Sequence, residues 1–308
     1  MRAMPVTERT VRIYEVGPRD GLQNESLPVD TDAKLTYIGL LADAGLREIE
    51  ATSFVSPRAI PQLADADELM ARLERRPGVR YPVLVPNGRG LERAIAAGAD
   101  AVCVFTAATE SFTRANIGMT IAESIDAFRP VIAEARERGW WSRGYVSTAF
   151  GCPYEGEVAA SAVVDVAHRL LELGVEELSI GDTIGVGGPA DVRRVVGALL
   201  ADGIGADRLA MHFHDTRGTA LANVAAALEL GIRCFDASTG GAGGCPYAPG
   251  AAGNLATEDL VYLLDREGMD HGVDLDALLA AARHVSTILG RSLQTKVGQA
   301  GGWRMPVP

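Results

Sequence analysis

Lysine is nearly absent from this chain of 308 residues: Lys34 and Lys296 are the only two, so arginine carries almost all of its positive charge. The formal net charge of −11 argues against nucleic acid or an anionic membrane as a partner, although it leaves room for a local basic pocket. Cysteine is also sparse. The four at 103, 152, 234 and 245 show no close-spaced pair, which argues against a disulfide framework and predicts reduced thiols in a cytoplasmic protein. No apolar run reaches the roughly 18 residues that a membrane span needs, and the N-terminus lacks the apolar core of a signal peptide. Finally, no glycine-rich dinucleotide fingerprint follows the first predicted strand, which weakens an open doubly wound sheet as the fold.

What the chain does contain is apolar material in a regular order. Hydrophobic residues make up 47% and aromatic ones only 6%, with 35 glycines, a composition that suits close packing of helices on a sheet. Short β-rich runs are predicted near Val11–Val16, Leu46–Ala51, Arg80–Val85, Ala101–Phe105, Gly144–Thr148, Glu177–Ile180, Leu209–Phe213 and Cys234–Ser238. Between them lie Asp32–Ala44, Leu91–Ala97, Ile121–Arg138, Val158–Leu173, Ala190–Leu200 and Ala220–Leu230, with apolar residues near helical spacing. Gly45, Gly98, Gly139, Gly174 and Gly231 follow such stretches, as helix-ending glycines do. Eight βα units without a linker or a shift in composition predict a single α/β domain over residues 1–308. Its fold is a closed (β/α)₈ TIM barrel over about 11–267, followed by a C-terminal helical segment, about 268–308, around Asp274–Leu289.

Barrel active sites lie at the carboxyl ends of the strands, and reactive residue types recur there. Gly17-Pro18-Arg19-Asp20-Gly21-Leu22-Gln23-Asn24-Glu25 follows the first strand; Glu50, Thr52 and Ser53 follow the second; Asp182 and Thr183 the sixth. The seventh ends in His212-Phe213-His214, where alternation sends both imidazoles to one side as a ready pair of metal ligands. The bland alternatives are strand-end histidines without a metal, and ordinary turn or cap residues at the other ends. Their shared rim is what those alternatives leave unexplained.

Six segments together resemble the hydroxymethylglutaryl-CoA lyase family: Gly17–Glu25, Thr52–Pro57, Gly151-Cys152-Pro153-Tyr154-Glu155-Gly156, Gly181-Asp182-Thr183-Ile184-Gly185, His212–Thr216 and Gly243–Asp259. The resemblance spans about Val11 to Gln299. It implies a metal-dependent TIM barrel that cleaves 3-hydroxy-3-methylglutaryl-CoA to acetoacetate and acetyl-CoA, with places in leucine degradation and ketone-body formation. Related alternatives are a lyase for longer 3-hydroxy-3-substituted glutaryl-CoA substrates and an acetyl-CoA-condensing synthase. The stretch ahead of Gly17 is too short for a mitochondrial leader, so a cytoplasmic location is expected. A homo-oligomer, a dimer, is expected as well.

Carried over position by position, the family's metal ligands fall on Asp20, His212, His214 and Asn254. One carboxylate, two imidazoles and an amide oxygen suit Mg²⁺ or Mn²⁺ better than a structural zinc. Two histidines with a carboxylate also describe the facial triad of non-haem iron oxygenases, the alternative in chemistry. The resemblance makes Arg19 the enolate stabiliser and Glu50 a residue that orients Arg19 or relays a proton, and it leaves Asp20 and His212 among the candidates for general base. Gln23, Ser53, Asn116, Arg143, Tyr145, Ser179 and Thr183 match substrate-binding positions, and Lys296 lies in a tail the family uses near the acyl-CoA.

The tetrapeptide Gly-Cys-Pro-Tyr occurs twice, at 151–154 and 244–247, and context separates the copies. The second follows the run Gly240–Gly244 and precedes Asn254, as a mobile lid would. The family's proton-donating cysteine matches Cys245, while Cys103, Cys152 and Cys234 are expected to be buried inert thiols. Cys245→Ala is therefore expected to lower turnover by roughly 10²–10⁴. Cys152→Ala should act mainly on stability, and steady-state kinetics with thermal melts on both variants checks the contrast.

Overall fold

The computed structural model describes residues 9–244, 253–293 and 295–303. Its strands are β1 (Arg12–Glu15), β2 (Glu48–Ile49), β3 (Thr52–Ser53), β4 (Val83–Leu84), β5 (Ala101–Ala107), β6 (Trp141–Ser147), β7 (Glu177–Asp182), β8 (Leu209–Phe213) and β9 (Cys234–Ala237). Helices α1 (Thr31–Asp43), α2 (Ala66–Arg72), α3 (Gly88–Ala96), α4 (Glu110–Ile117), α5 (Ile121–Glu137), α6 (Ala160–Leu173), α7 (Pro189–Ala201), α8 (Ala220–Glu229) and α9 (Thr257–Arg266) alternate with them. Two more, α10 (Leu275–Leu289) and α11 (Lys296–Ala300), follow. Every strand pairing is parallel, in the order β2-β1-β9-β8-β7-β6-β5-β4-β3.

The two ends of that order are neighbours in the chain. Between β2 and β3, the Glu50 N–H donates to Glu15 O and the Ala51 N–H to Pro82 O, both at 2.9 Å, so residues 48–53 bridge β1 on one side and β4 on the other. The sheet thereby closes on itself as eight staves, as the βα count predicts. Helix ends follow local chemistry. The Asp30 and Asp274 side chains accept the Ala33 and Ala277 N–H groups at the starts of α1 and α10, and α6 ends on Gly174, whose φ of 105° favours glycine. The helices α2 and α4 escape the periodicity reading because they are short, and α9 because it begins inside a stretch dominated by the motif of residues 243–259.

Apolar packing divides into two layers. The larger lies between strands and helices and includes Leu41, Phe54, Val102, Phe128, Leu170, Val195, Val224 and Leu260. The smaller fills the barrel interior with Tyr14, Val16, Leu84, Cys103, Tyr145, Ala210 and Cys234. Helix α10 packs on α1 and α9, which closes one side of the barrel. Among the described residues, no helix is long and apolar enough to cross a membrane.

Two buried carboxyl groups tie the rim together. Glu15 accepts the Gly17 and Thr239 N–H groups at 2.9 and 2.8 Å and the Thr239 and Thr257 hydroxyls at 2.9 and 2.7 Å, joining the loops after β1 and β9 to the start of α9. Glu258 accepts the Gly240 N–H at 2.9 Å. Burial pushes the Glu258 carboxyl up to about 8 from its ordinary 4.5, with nearby Glu15 adding to the effect. A raised carboxyl pKa means the folded state holds a proton the unfolded chain has released, so stability falls as pH rises between about 4.5 and about 8. Glu258→Gln keeps an acceptor for Gly240 and removes that penalty. Its melting temperature is expected to gain on the wild type by a few degrees between about pH 5 and about pH 8.5, as circular dichroism melts would record.

Candidate active site

After β1 the chain makes one wide turn, residues 17–21, in which the N–H groups of Arg19, Asp20 and Gly21 all reach Val16 O. Such turns occur often at functional sites. Here the turn presents two adjacent side chains inward. Arg19, 7% exposed, places Nη1 2.7 Å from Asp20 Oδ1 and Nη2 3.0 Å from Glu50 Oε2. Burial opposes the guanidinium's charge, but Glu50 and Asp20 outweigh it and hold the group protonated. Glu50 is fully buried in the stave of residues 48–53, and its Oε2 also accepts the Tyr145 hydroxyl at 2.7 Å.

Strand β8 brings the imidazoles to the same place. The Nε2 atoms of His212 and His214 lie 3.2 Å apart, and one ligand atom each of Asp20, His212 and His214 falls within 4.8 Å of the others. Burial lowers His214 to about 4, with His212 contributing, so its ring is neutral at neutral pH. Burial would raise Asp20, but Arg19 and the two histidines pull it down to about 2, so it is a carboxylate there. A neutral imidazole and an ionised carboxylate are the forms that ligate. Asn254 stands against the group: its Nδ2 donates to Asp20 Oδ2 at 2.9 Å and to Ala242 O at 3.0 Å, while its buried Oδ1 finds no partner among the described residues. An orphaned acceptor beside a carboxylate and two facing imidazoles fits a hard divalent cation.

Arg19, Asp20, His212 and His214 border a cavity of about 500 Å³ at the carboxyl ends of the strands. Of the expected substrate contacts, Gln23, Asn116, Tyr145, Ser179 and Thr183 line it. Thr183 Oγ1 also accepts the Thr148 N–H at 2.8 Å, and Asp182 accepts the Val186 and Gly187 N–H groups at 3.0 Å, a turn-forming role.

Ser53 and Arg143, two of the expected contacts, do not line this cavity. Ser53 is buried in the barrel wall, with its hydroxyl bonded to Leu84 O and the Val55 N–H at 3.3 Å. Arg143 is 0% exposed beneath the cavity, because inward-facing alternation on β6 drives it into the barrel interior between Asp236 and Glu177, at 2.7 and 3.0 Å. Lys296 is exposed at the start of α11 and does not line the cavity.

Cys245 lies outside the described residues. Its neighbour Gly244 lines the cavity, and the Asn24 amide holds Gly244 O at 2.8 Å. Gly253, where the description resumes, is packed so closely that a Cβ would meet Gly241 O at 1.8 Å. Cys103, Cys152 and Cys234 are buried free thiols, and burial pushes the first and last well up.

Sequence reasoning passed over Asp236, which receives His212 Nδ1 at 3.2 Å and the Ser179 hydroxyl at 2.8 Å. The available signal was a lone carboxylate inside the apolar run Cys234–Ala237. Glu15 and Glu258 were missed too, since single carboxyls at element ends resemble ordinary caps.

A closed barrel that gathers a carboxylate, two imidazoles and a paired guanidinium at its strand ends has the layout of a barrel enzyme built for a cation and an anionic intermediate. A family model described as HMGL-like matches residues 10–285, and the chain belongs to that family. It is 50% identical over 292 residues to a hydroxymethylglutaryl-CoA lyase of Pseudomonas mevalonii, covering 95% of this chain and 97% of that protein. The crystal structure of the Bacillus subtilis HMG-CoA lyase superposes with a TM-score of 0.93 at 47% identity, over 96% of this chain and 99% of that one. An HMG-CoA lyase of Acinetobacter baumannii, solved with coenzyme A and 3-methylmalate, gives a TM-score of 0.92 at 39% identity, over 99% and 100% of the two chains.

If the three-residue group holds the cation, Asp20→Ala and His214→Ala are each expected to weaken Mn²⁺ binding more than the roughly 10–100-fold that loss of an outer-shell partner costs. Isothermal titration with Mn²⁺, alongside far-ultraviolet dichroism to confirm the fold, checks this.

Proposed function

We propose that this protein is a hydroxymethylglutaryl-CoA lyase, a divalent-metal-dependent enzyme that cleaves (S)-3-hydroxy-3-methylglutaryl-CoA to acetoacetate and acetyl-CoA by a retro-Claisen reaction. The observation that carries the reading is Arg19, locked between Glu50 and Asp20 at 3.0 and 2.7 Å, beside the Asp20, His212 and His214 group on one cavity wall. Near-full-length identity of about half to lyases of this name supports it.

Asp20, His212 and His214, with Asn254, would hold Mg²⁺ or Mn²⁺, and a cation there supplies Lewis-acid polarisation of the substrate's hydroxyl and acyl oxygens. The chain's own groups meet the remaining needs. Of the two candidates for the base, Asp20 takes the proton of the tertiary hydroxyl, because a His212 ring that ligates through Nε2 and donates from Nδ1 to Asp236 has no lone pair left. As the carbon–carbon bond breaks, the ketone of acetoacetate forms and negative charge moves onto the thioester oxygen of the departing enolate. Arg19 faces that oxygen, and because Glu50 and Tyr145 already fix its position, it need not reorganise as the charge appears. Cys245 then protonates the enolate carbon to give acetyl-CoA. Gln23, Asn116, Tyr145, Ser179 and Thr183 contact the acyl group from the cavity wall. The protein acts as a homodimer in the cytoplasm, in keeping with its buried free thiols.

Incubation of the protein with Mg²⁺ and hydroxymethylglutaryl-CoA under anaerobic conditions is expected to release acetoacetate and acetyl-CoA in equal amounts. Absence of both products, together with oxygen-consuming turnover on Fe²⁺, would overturn the proposal.

A further inference from the structure

The barrel interior carries a ladder of charges that runs from the candidate metal site to the opposite mouth. Asp236 Oδ2 meets His212 Nδ1 at 3.2 Å, and Asp236 Oδ1 meets Arg143 Nη2 at 2.7 Å. Arg143 Nε lies 3.0 Å from Glu177 Oε1, and its guanidinium stacks 3.9 Å above the Tyr14 ring. Glu177 pairs in turn with Arg12, Arg12 with Glu48 at 3.0 Å, and Glu48 with Arg80 at 2.6 Å. Asp236 and Arg143 are 1% and 0% exposed, so neither can relax into water.

We propose that Asp236 is the positioning residue for His212: it holds the imidazole with the proton on Nδ1, so that Nε2 faces Asp20 and His214 as a free donor. The inference rests on the metal reading of that group. A carboxylate only accepts, so a ring nitrogen bonded to it carries the hydrogen. Ser179 donates to the same Oδ2 at 2.8 Å, and Arg143 claims the other oxygen, so the carboxylate cannot rotate away. The two imidazoles differ in this respect. His214 Nδ1 is buried without a partner among the described residues, whereas His212 is set by an anchored anion. Partners of this kind fix the tautomer and ring plane of ligating histidines.

Asp236→Asn separates positioning from mere ion pairing. Arg143, a donor only, retains the amide oxygen, which turns the new NH₂ toward His212 Nδ1 and forces the ring proton to Nε2. In the full chain with ¹⁵N-labelled histidine and chelator present, long-range ¹H–¹⁵N spectra are expected to show His212 protonated on Nδ1 in the wild type and on Nε2 in the variant, with the signal assigned by its loss in His212→Gln. Mn²⁺ affinity by titration calorimetry is expected to fall by about 10–100-fold in Asp236→Asn. An Nδ1-protonated ring in both proteins with Mn²⁺ affinity unchanged overturns the proposal, whatever happens to thermal stability. If the variant does not fold, the wild-type spectrum decides alone, and a proton on Nε2 overturns it. Should the wild type bind no Mn²⁺, the metal reading fails while the tautomer result still tests the role of Asp236.

Discussion

The Asp20 carboxylate is the group on which the site depends. It touches the Arg19 guanidinium at 2.7 Å and the Asn254 amide at 2.9 Å, and it lies within 4.8 Å of the ligand atoms of both histidines. Those partners come from the turn after β1, the loop after β9 and the end of β8. A half-buried anion attracts positive charge from each direction, and Arg19 on one side leaves the other side for a cation. One carboxylate thus divides the cavity floor between a fixed organic cation and a place for an inorganic one.

A floor so charged needs support from below, because an unpaired buried ion costs several kcal/mol. The barrel meets the cost by alternating signs along its axis, from Asp236 through Arg143, Glu177 and Arg12 to Glu48. Tyr14 and Tyr145 flank Arg143 with ring faces at 3.9 and 5.3 Å, which favours a cation without introducing another ion. Removing any single member takes one partner from each of its neighbours, so the ladder ties the geometry of the upper rim to the packing of the whole interior. Glu50 belongs to the same economy of pairing: its carboxylate serves Arg19 and Tyr145 together.

The rim loops are held by buried carboxyl groups as well as by apolar contact from Leu22, Leu255 and Leu293. Glu15 fastens residues 17, 239 and 257, and Glu258 fastens residue 240, so the approach to the loop that carries Cys245 starts from a rigid base. Gly17 sits where any Cβ would strike Tyr37 Oη at 2.2 Å and Glu15 Oε1 at 2.4 Å, which lets the wide turn bed down on that carboxylate. Close approach of this kind lets two loops far apart in the chain meet over a single cavity.

Much of this was legible in the residues themselves. Alternating βα periodicity determined a barrel, since eight such units without a linker have few other ways to bury both faces of every strand, and the His212-Phe213-His214 spacing determined that two imidazoles share a side. The shared location of reactive residue types at the strand ends pointed to Arg19, Asp20 and Glu50, and the resemblance to the lyase family added Asn254. Only the tertiary structure decided which candidates face the cavity. Ser53 and Arg143 carry the same chemistry as true wall residues, yet one is consumed by backbone groups and the other lies a layer lower. It also decided that Asp236, unremarkable in an apolar strand, stands against His212. Periodicity reports which side of a strand a residue occupies, but depth along the barrel axis depends on strand register and tilt, and these are set by contacts between residues far apart in the chain.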